Sequence, residues 1–286
     1  MRKPLLWIAP SFLLIGILSL YPMGYGIWMA FTNFKPEHIR TNAPRFVGLE
    51  NFYDLFTGAS YLDFNFFSIL LFNIVWTLSN LLFHVTIGIL LALAIQKIKG
   101  GEKIYRTLLI LPWAIPAYIT CLVWKNMYDP QYGPINQLLH SEIPWLQEFP
   151  HAFFSVLITN VWLGFPFMMM VATGALQSIS KELYESASVD GASALKQFLS
   201  ITLPGIKPAM LPAVLLGGIW TFNNFNVIYF ITNGGPLGKT EILITKAYAL
   251  VNPLGLYGVA SAFSLVIFAI VLGLTLVQMR VAKVEV

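Results

Sequence analysis

ELYESASVDGASALKQFLSITLP, residues Glu182–Pro204, interrupts an otherwise apolar chain. It gathers Glu182, Glu185, Asp190 and Lys196 between two apolar runs. Ser180 is placed to cap a helix start, and Glu182 suits the positive end of that helix dipole. Residues 181–190 then make about two and a half turns. Leu183, Tyr184 and Ala187 share one side, while Glu182, Glu185 and Ser186 offer polar groups. Gly191 should end the helix, because glycine takes the left-handed conformation without a Cβ penalty. A second helix is expected over about 193–201, with Pro204 as its stop. The stretch 181–204 therefore reads as a helix–glycine–helix elbow.

The surroundings of this elbow are those of a membrane protein. Of 286 residues, 57% are hydrophobic and only 10% charged, and mean hydropathy is +0.71. Soluble domains carry roughly 25% charge, so this chain has too little charge to cover itself in water. A spanning helix needs about 20 apolar residues. Six runs qualify, at about 5–31, 67–96, 107–125, 153–177, 209–231 and 257–279. The fold class is all-α: the alternation of a barrel is absent, and open strands would leave backbone groups unpaired in lipid. The first run is too long for a signal-peptide core and reads as a retained span. Prolines 112, 116, 166 and 212 fall inside spans, and each favours a kink.

Net charge is +4 and the pI about 9.1. The basic residues cluster beside the spans, which points to membrane orientation and not to nucleic acid. With the N-terminus inside, Arg2, Lys3, Lys97, Lys99, Lys103, Arg106, Lys181, Lys196, Lys207, Arg280 and Lys283 lie on the cytoplasmic side. Lys35, Arg40, Arg45, Lys125, Lys239 and Lys246 lie outside. This majority predicts cytoplasmic N- and C-termini, with the elbow in the cytoplasm between the fourth and fifth spans. Among the outer loops, Phe46–Phe56 reads as an amphipathic segment, with Phe46, Leu49, Phe52, Leu55 and Phe56 at helical spacing.

The chain shows no engine of its own. Asp, Glu, Lys and Arg are missing from the centres of the spans, where coupled transporters place functional charges. His84 is the one titratable residue there, and it reads as a packed hydrogen-bonding group. The stretch Asn233–Thr240, NGGPLGKT, lacks the first glycine of a phosphate-binding loop and reads as a turn. The histidines do not pair at metal-ligand spacing, and no nucleophile motif occurs. Cys121 stands alone, so no intrachain disulfide forms. Any uphill transport must draw its energy from another subunit; the alternative is a passive channel or facilitator for small neutral solutes.

The elbow matches a known pattern: E-A-A, three residues, G, nine residues, I-x-L-P. Here it reads Glu185-Ser186-Ala187, Gly191, then Ile201-Thr202-Leu203-Pro204. It resembles the cytoplasmic signature of permease subunits of ABC importers, with Ser186 replacing the middle alanine. Arg106–Ile119, Asn160–Met170, Phe222–Pro236 and Phe46–Phe52 further resemble the larger membrane subunit of maltose-type transporters. The resemblance implies one permease domain over 1–286 that pairs with a second permease as a heterodimer. It also implies two ATPase subunits holding ATP and Mg, an extracytoplasmic sugar-binding protein and no cofactor in this chain. Glu182, Glu185, Ser186, Ala187, Asp190, Gly191, Ile201, Leu203 and Pro204 would then couple to the ATPase.

Sugars need hydrogen bonds at the ring edge and flat apolar faces against their C–H surfaces. Span five offers Asn223, Asn224 and Asn226 among Trp220, Phe222 and Phe225, and amides in a membrane helix are costly unless paired. The resemblance puts Trp113, Leu163, Gly164, Phe167, Trp220, Thr221 and Asn224 at the sugar site. Ala117 and Gly217 stand where the maltose pattern carries hydroxyls, which leaves the particular sugar open. Gly217 and Gly218 allow close approach or a bend.

Overall fold

The computed structural model describes residues 3–40, 43–98 and 100–284. Arg2 and Lys99, counted above for orientation, lie outside them. In chain order the α-helices are α1 (Lys3–Ile15), α2 (Tyr21–Ala30), α3 (Glu50–Thr57), α4 (Phe66–Gln96), α5 (Glu102–Ala114), α6 (Ala117–Met127) and α7 (Pro134–Leu139). There follow α8 (His151–Gln177), α9 (Lys181–Val189), α10 (Ala194–Gln197), α11 (Leu203–Phe222), α12 (Phe225–Ile231), α13 (Leu243–Val251) and α14 (Tyr257–Val284). The protein is all-α, as its apolar runs require. Five helical stretches among the described residues are long and apolar enough to cross a membrane: Pro10–Ala30, Phe66–Gln96, His151–Gln177, Ala194–Ile231 and Tyr257–Val277. The sixth expected span is a pair, α5 and α6, bent by 90°. Its joint is Ile115–Pro116, both extended in ψ, as the residue before a proline is driven to be.

Prolines elsewhere do not break their helices. Helix α8 runs unbroken through Pro166, and α11 through Pro208 and Pro212. Pro204 does not stop the elbow's second helix. A five-residue π turn, Phe198–Thr202, joins α10 directly to α11, with the Leu203 N–H bonding to the Phe198 carbonyl. A wider turn is one way to accommodate a proline, which lacks the N–H of a regular turn and crowds the carbonyl four residues back. The same device precedes Pro22: a π turn over Gly16–Leu20 joins α1 to α2. Span five instead breaks at Asn223–Asn224, where no proline stands.

The chain forms two compact units: the chain up to Ile69 with Leu243–Leu272, and Leu70–Ile242 with the chain from Gly273. In the first, the Asn51 amide donates to the carbonyls of Ala30 (2.8 Å) and Thr32 (2.9 Å). The buried face of α3 is Asn51 and Leu55, while Phe46 and Leu49 are exposed. The expected amphipathic segment is thus a shorter helix with a different inner face. Gly258 approaches so closely that a Cβ there would lie 2.2 Å from the Thr32 carbonyl.

The second unit is built on α4, α8 and α11. Ala92, Ile95, Met168, Met169, Ala172, Ile206 and Met210 form its apolar core. At Gly88 a Cβ would lie 2.6 Å from Met168 Cβ and 2.8 Å from the Met169 nitrogen. Small residues permit such close backbone approach between membrane helices, where packing replaces the hydrophobic effect. Turn Asn233–Thr240 closes on itself through Thr240, whose Oγ1 donates to the Gly235 carbonyl at 2.5 Å and whose N–H donates to Gly234 at 3.1 Å, while Lys239 lies over the Phe149 ring.

Candidate functional site

Trp113, Leu163, Gly164, Phe167, Trp220, Thr221 and Asn224 line a single cavity of about 390 Å³. Four chain segments meet there: α4 through His84, the joint 114–117, α8, and the end of α11 with Asn224. Asn223 bonds back to the Ile219 carbonyl at 3.3 Å, and neither Asn223 nor Asn226 lines the cavity. Among the described residues, no Asp, Glu, Lys or Arg lines it.

One wall is aromatic. Phe167 stands between two tryptophans, with ring centroids 5.3 Å from Trp220 and 6.4 Å from Trp113. Both tryptophans are half exposed, so their faces remain open, while Phe167 fixes their spacing. The other wall is polar. Asn224 Nδ2 donates to Asn160 Oδ1 at 2.6 Å, and Asn160 Nδ2 donates to Asn80 Oδ1 at 2.7 Å. His84 Nε2 bonds to the Asn160 carbonyl at 2.9 Å. A carbonyl only accepts, so Nε2 carries the proton.

The break in span five makes this wall possible. Ending α11 at Phe222 frees its last carbonyls inside a segment that crosses lipid, where an unpaired group costs several kcal/mol. Helix α4 supplies side-chain donors to them: Trp76 Nε1 reaches the Thr221 carbonyl, which the Asn224 N–H also meets, and Asn73 Nδ2 the Phe222 carbonyl, each at 3.1 Å. Asn224 then caps α12, its Oδ1 accepting from the Val227 N–H at 3.4 Å. Asn, unlike the apolar residues around it, favours such a cap.

Glycines set the clearances. A Cβ on Gly164 would lie 2.3 Å from His84 Cε1 and Nε2, so this glycine makes room for the imidazole. A Cβ on Gly217 would lie 2.6 Å from the tip of Met168, and one on Gly218 3.3 Å from Leu81. Both glycines serve close approach and not a bend, since α11 continues through them. Asn80, Asn160 and Trp76 escaped the sequence reading, which saw His84 only as a packing group. Their signal was present but diffuse: polar residues in spans must be paired, and Asn73, Asn80 and His84 recur at helical spacing on α4.

The second feature is the elbow. Ser180 caps α9 by accepting from the Glu182 N–H at 3.3 Å. At the other end the Ala192 N–H bonds to the Ala187 carbonyl (2.9 Å) and the Gly191 N–H to Ser188 (3.1 Å). With Gly191 at φ 75°, this is a Schellman stop. Helix α9 buries no residue. Glu182, Glu185, Ser186, Asp190 and Gly191 are exposed and Ala187 is half-buried; beyond the turn, Leu203 and Pro204 are exposed and Ile201 is half-buried. The elbow is braced internally: Gln197 Nε2 reaches Ser188 Oγ (3.0 Å) and the Ala192 carbonyl (3.1 Å), and Tyr184 meets Thr202.

A helical membrane protein with an uncharged inner cavity and a rigid polar elbow has the layout of an importer permease. Comparison with known proteins agrees. Residues 84–283 match the family described as "Binding-protein-dependent transport system inner membrane component", and the chain belongs to that family. It is 33% identical to the galactooligosaccharides transport system permease protein GanP of Bacillus subtilis (strain 168), over 96% of this chain and 68% of that one. It is 32% identical to the trehalose/maltose transport system permease protein MalF of Thermococcus litoralis, over 99% and 92%. A solved structure of a bacterial ABC transporter involved in the import of the acidic polysaccharide alginate shares the fold, with TM-score 0.82, 24% identity and coverage of 99% and 96%. The protein is therefore a multi-pass ABC importer permease.

Proposed function

We propose that this permease carries a neutral oligosaccharide of the maltodextrin, trehalose or galactooligosaccharide class through the cavity at Trp113, Phe167, Trp220 and Asn224. One observation carries the reading: an aromatic row faces a chain of amides, with no charged residue among the described ones lining the space. Aromatic faces suit sugar C–H surfaces, and amides suit hydroxyls. An acidic cargo would call for cationic partners. The names of the relatives above support the sugar class.

The working assembly is a heterodimer with a second permease, two ATPase subunits that hold ATP and Mg, and an extracytoplasmic sugar-binding protein. Both termini and the elbow face the cytoplasm. ATPase closure moves the elbow, and the cavity alternates between faces. The cycle couples only because cargo and nucleotide favour its states unequally. Glu185 offers the exposed carboxylate for a basic residue on the ATPase, and Gly191 keeps the elbow's angle.

The test is reconstitution of the four kinds of subunit in sealed vesicles, with labelled trehalose, maltose and galactooligosaccharides outside. Uptake should require ATP and the binding protein, and should fall with Trp220→Ala. Accumulation by this chain alone would sink the reading. For the elbow, Glu185→Ala and Gly191→Pro should weaken ATPase capture; capture unchanged from wild type in both variants would remove docking from the scheme.

A further inference from the structure

The amides beside the cavity form a continuous chain with backbone at both ends. The Val227 N–H donates to Asn224 Oδ1, Asn224 Nδ2 to Asn160 Oδ1, Asn160 Nδ2 to Asn80 Oδ1, and Asn80 Nδ2 to the Trp76 carbonyl at 2.8 Å. Side-chain amide orientation is ordinarily ambiguous. Here it is forced. An N–H at one end can only donate, and a carbonyl at the other can only accept. All three amides must therefore point the same way, and reversing any one would set like atoms against each other at both of its neighbours.

Asn80 is completely buried and does not line the cavity. Asn160 and Asn224 do line it. We infer that Asn80 is a positioning residue: it fixes which way the Asn160 amide faces and, together with the Val227 N–H, holds the Asn224 amide in place, and hence sets where a cargo hydroxyl meets a donor or an acceptor. An amide carries two N–H groups and two lone pairs. The chain uses one of each at Asn160 and at Asn224, so each retains one of each for other partners. Asn80 decides their places from outside the cavity. This rests on the sugar reading above, and the experiment separates the two.

The measurement is uptake by the full importer in vesicles, with trehalose, maltose and their deoxy analogues, for wild type, Asn80→Leu and Asn80→Asp. Leucine removes the acceptor for Asn160 Nδ2; aspartate keeps it. The expected result for Asn80→Leu is a rise in KM of about tenfold, the cost of one misplaced hydrogen bond. Discrimination among the deoxy analogues should flatten, and Asn80→Asp should keep most of it. A variant with lowered Vmax and the wild-type order of analogues would overturn the inference, since a merely structural role would leave that order intact. If Asn80→Leu does not assemble, Asn80→Ala against Asn80→Asp gives the same comparison. If wild type carries none of these sugars, the sugar reading falls. A thermal double-mutant cycle between Asn80→Ala and Asn160→Ala then decides: coupled effects support the relay, and additive ones reject it.

Discussion

The Tyr184 hydroxyl lies 2.9 Å from Thr202 Oγ1 and ties the exposed helix α9 to the π turn that leads into α11. Thr202 is buried, whereas α9 buries nothing. One hydrogen bond therefore links a helix that buries no residue to the start of a span whose far end lines the cavity. The elbow is thus tied to span five by this bond, by the main chain and by Ile179, which packs against Gly205.

Removing that bond should loosen coupling more than folding. Tyr184→Phe and Thr202→Val should each destabilise by about 1 kcal/mol, the net value of a partly buried hydrogen bond. Their effects on the ratio of ATP hydrolysed to cargo moved should not add, because both delete one link. Parallel ATPase and uptake assays on the two variants and the double variant check this. Additive losses would place the coupling elsewhere.

Two glycines offer opposite tests of one substitution. Gly191 has φ 75° and nothing within 4 Å of a built Cβ, so Gly191→Ala should cost only backbone strain, about 1 kcal/mol. Gly88 is helical, but its Cβ would strike Met168 and the Met169 backbone. Gly88→Ala should cost about 3 kcal/mol through overpacking. Melting of the purified importer should rank Gly88→Ala well below Gly191→Ala.

Gly164→Ala should act through His84. The added methyl displaces the imidazole and breaks its bond to the Asn160 carbonyl. A loss of about 2 kcal/mol is expected. His84→Ala alone should also destabilise, but added to Gly164→Ala it should restore part of the loss by clearing the clash. A double variant less stable than either single one would contradict this geometry.

In the aromatic row, Phe167 is the spacer and the tryptophans are the open faces. Trp220→Ala should therefore raise KM for cargo with little effect on melting. Phe167→Ala should raise KM and also lower the melting temperature, since it removes packing worth about 3 kcal/mol as well as the spacer. Uptake kinetics alongside thermal melting of the same preparations separate the two roles.

How legible this was depended on the distance over which each feature is encoded. Spans are local: apolar length alone located α4, α8 and α14, and Ser180 and Gly191 marked both ends of α9. Breaks were less legible, because a proline is compatible with several outcomes. Pro116 ends a helix, Pro166 does not, and Pro204 follows a π turn. The break at Asn223–Asn224 carried a cap residue that could have been read, yet its amides read only as a cavity lining. The relay from Asn224 to Asn80 was not legible at all. Its links cross 64 and 80 positions, and nothing in the periodicity of one helix says which amide on another will meet it. The cavity residues came from resemblance; composition had offered only the mixture of asparagine and tryptophan.

The right-angled joint at Ile115–Pro116 has a consequence for how such a protein diversifies. Two short rods meet there, and each keeps its own internal hydrogen bonds whatever the angle between them. A change at Ile115 or Ala117 would swivel Trp113 against Tyr118 without unravelling either rod. The shape of the cavity can thus change by re-aiming a hinge pin, leaving the costly framework of the crossing untouched.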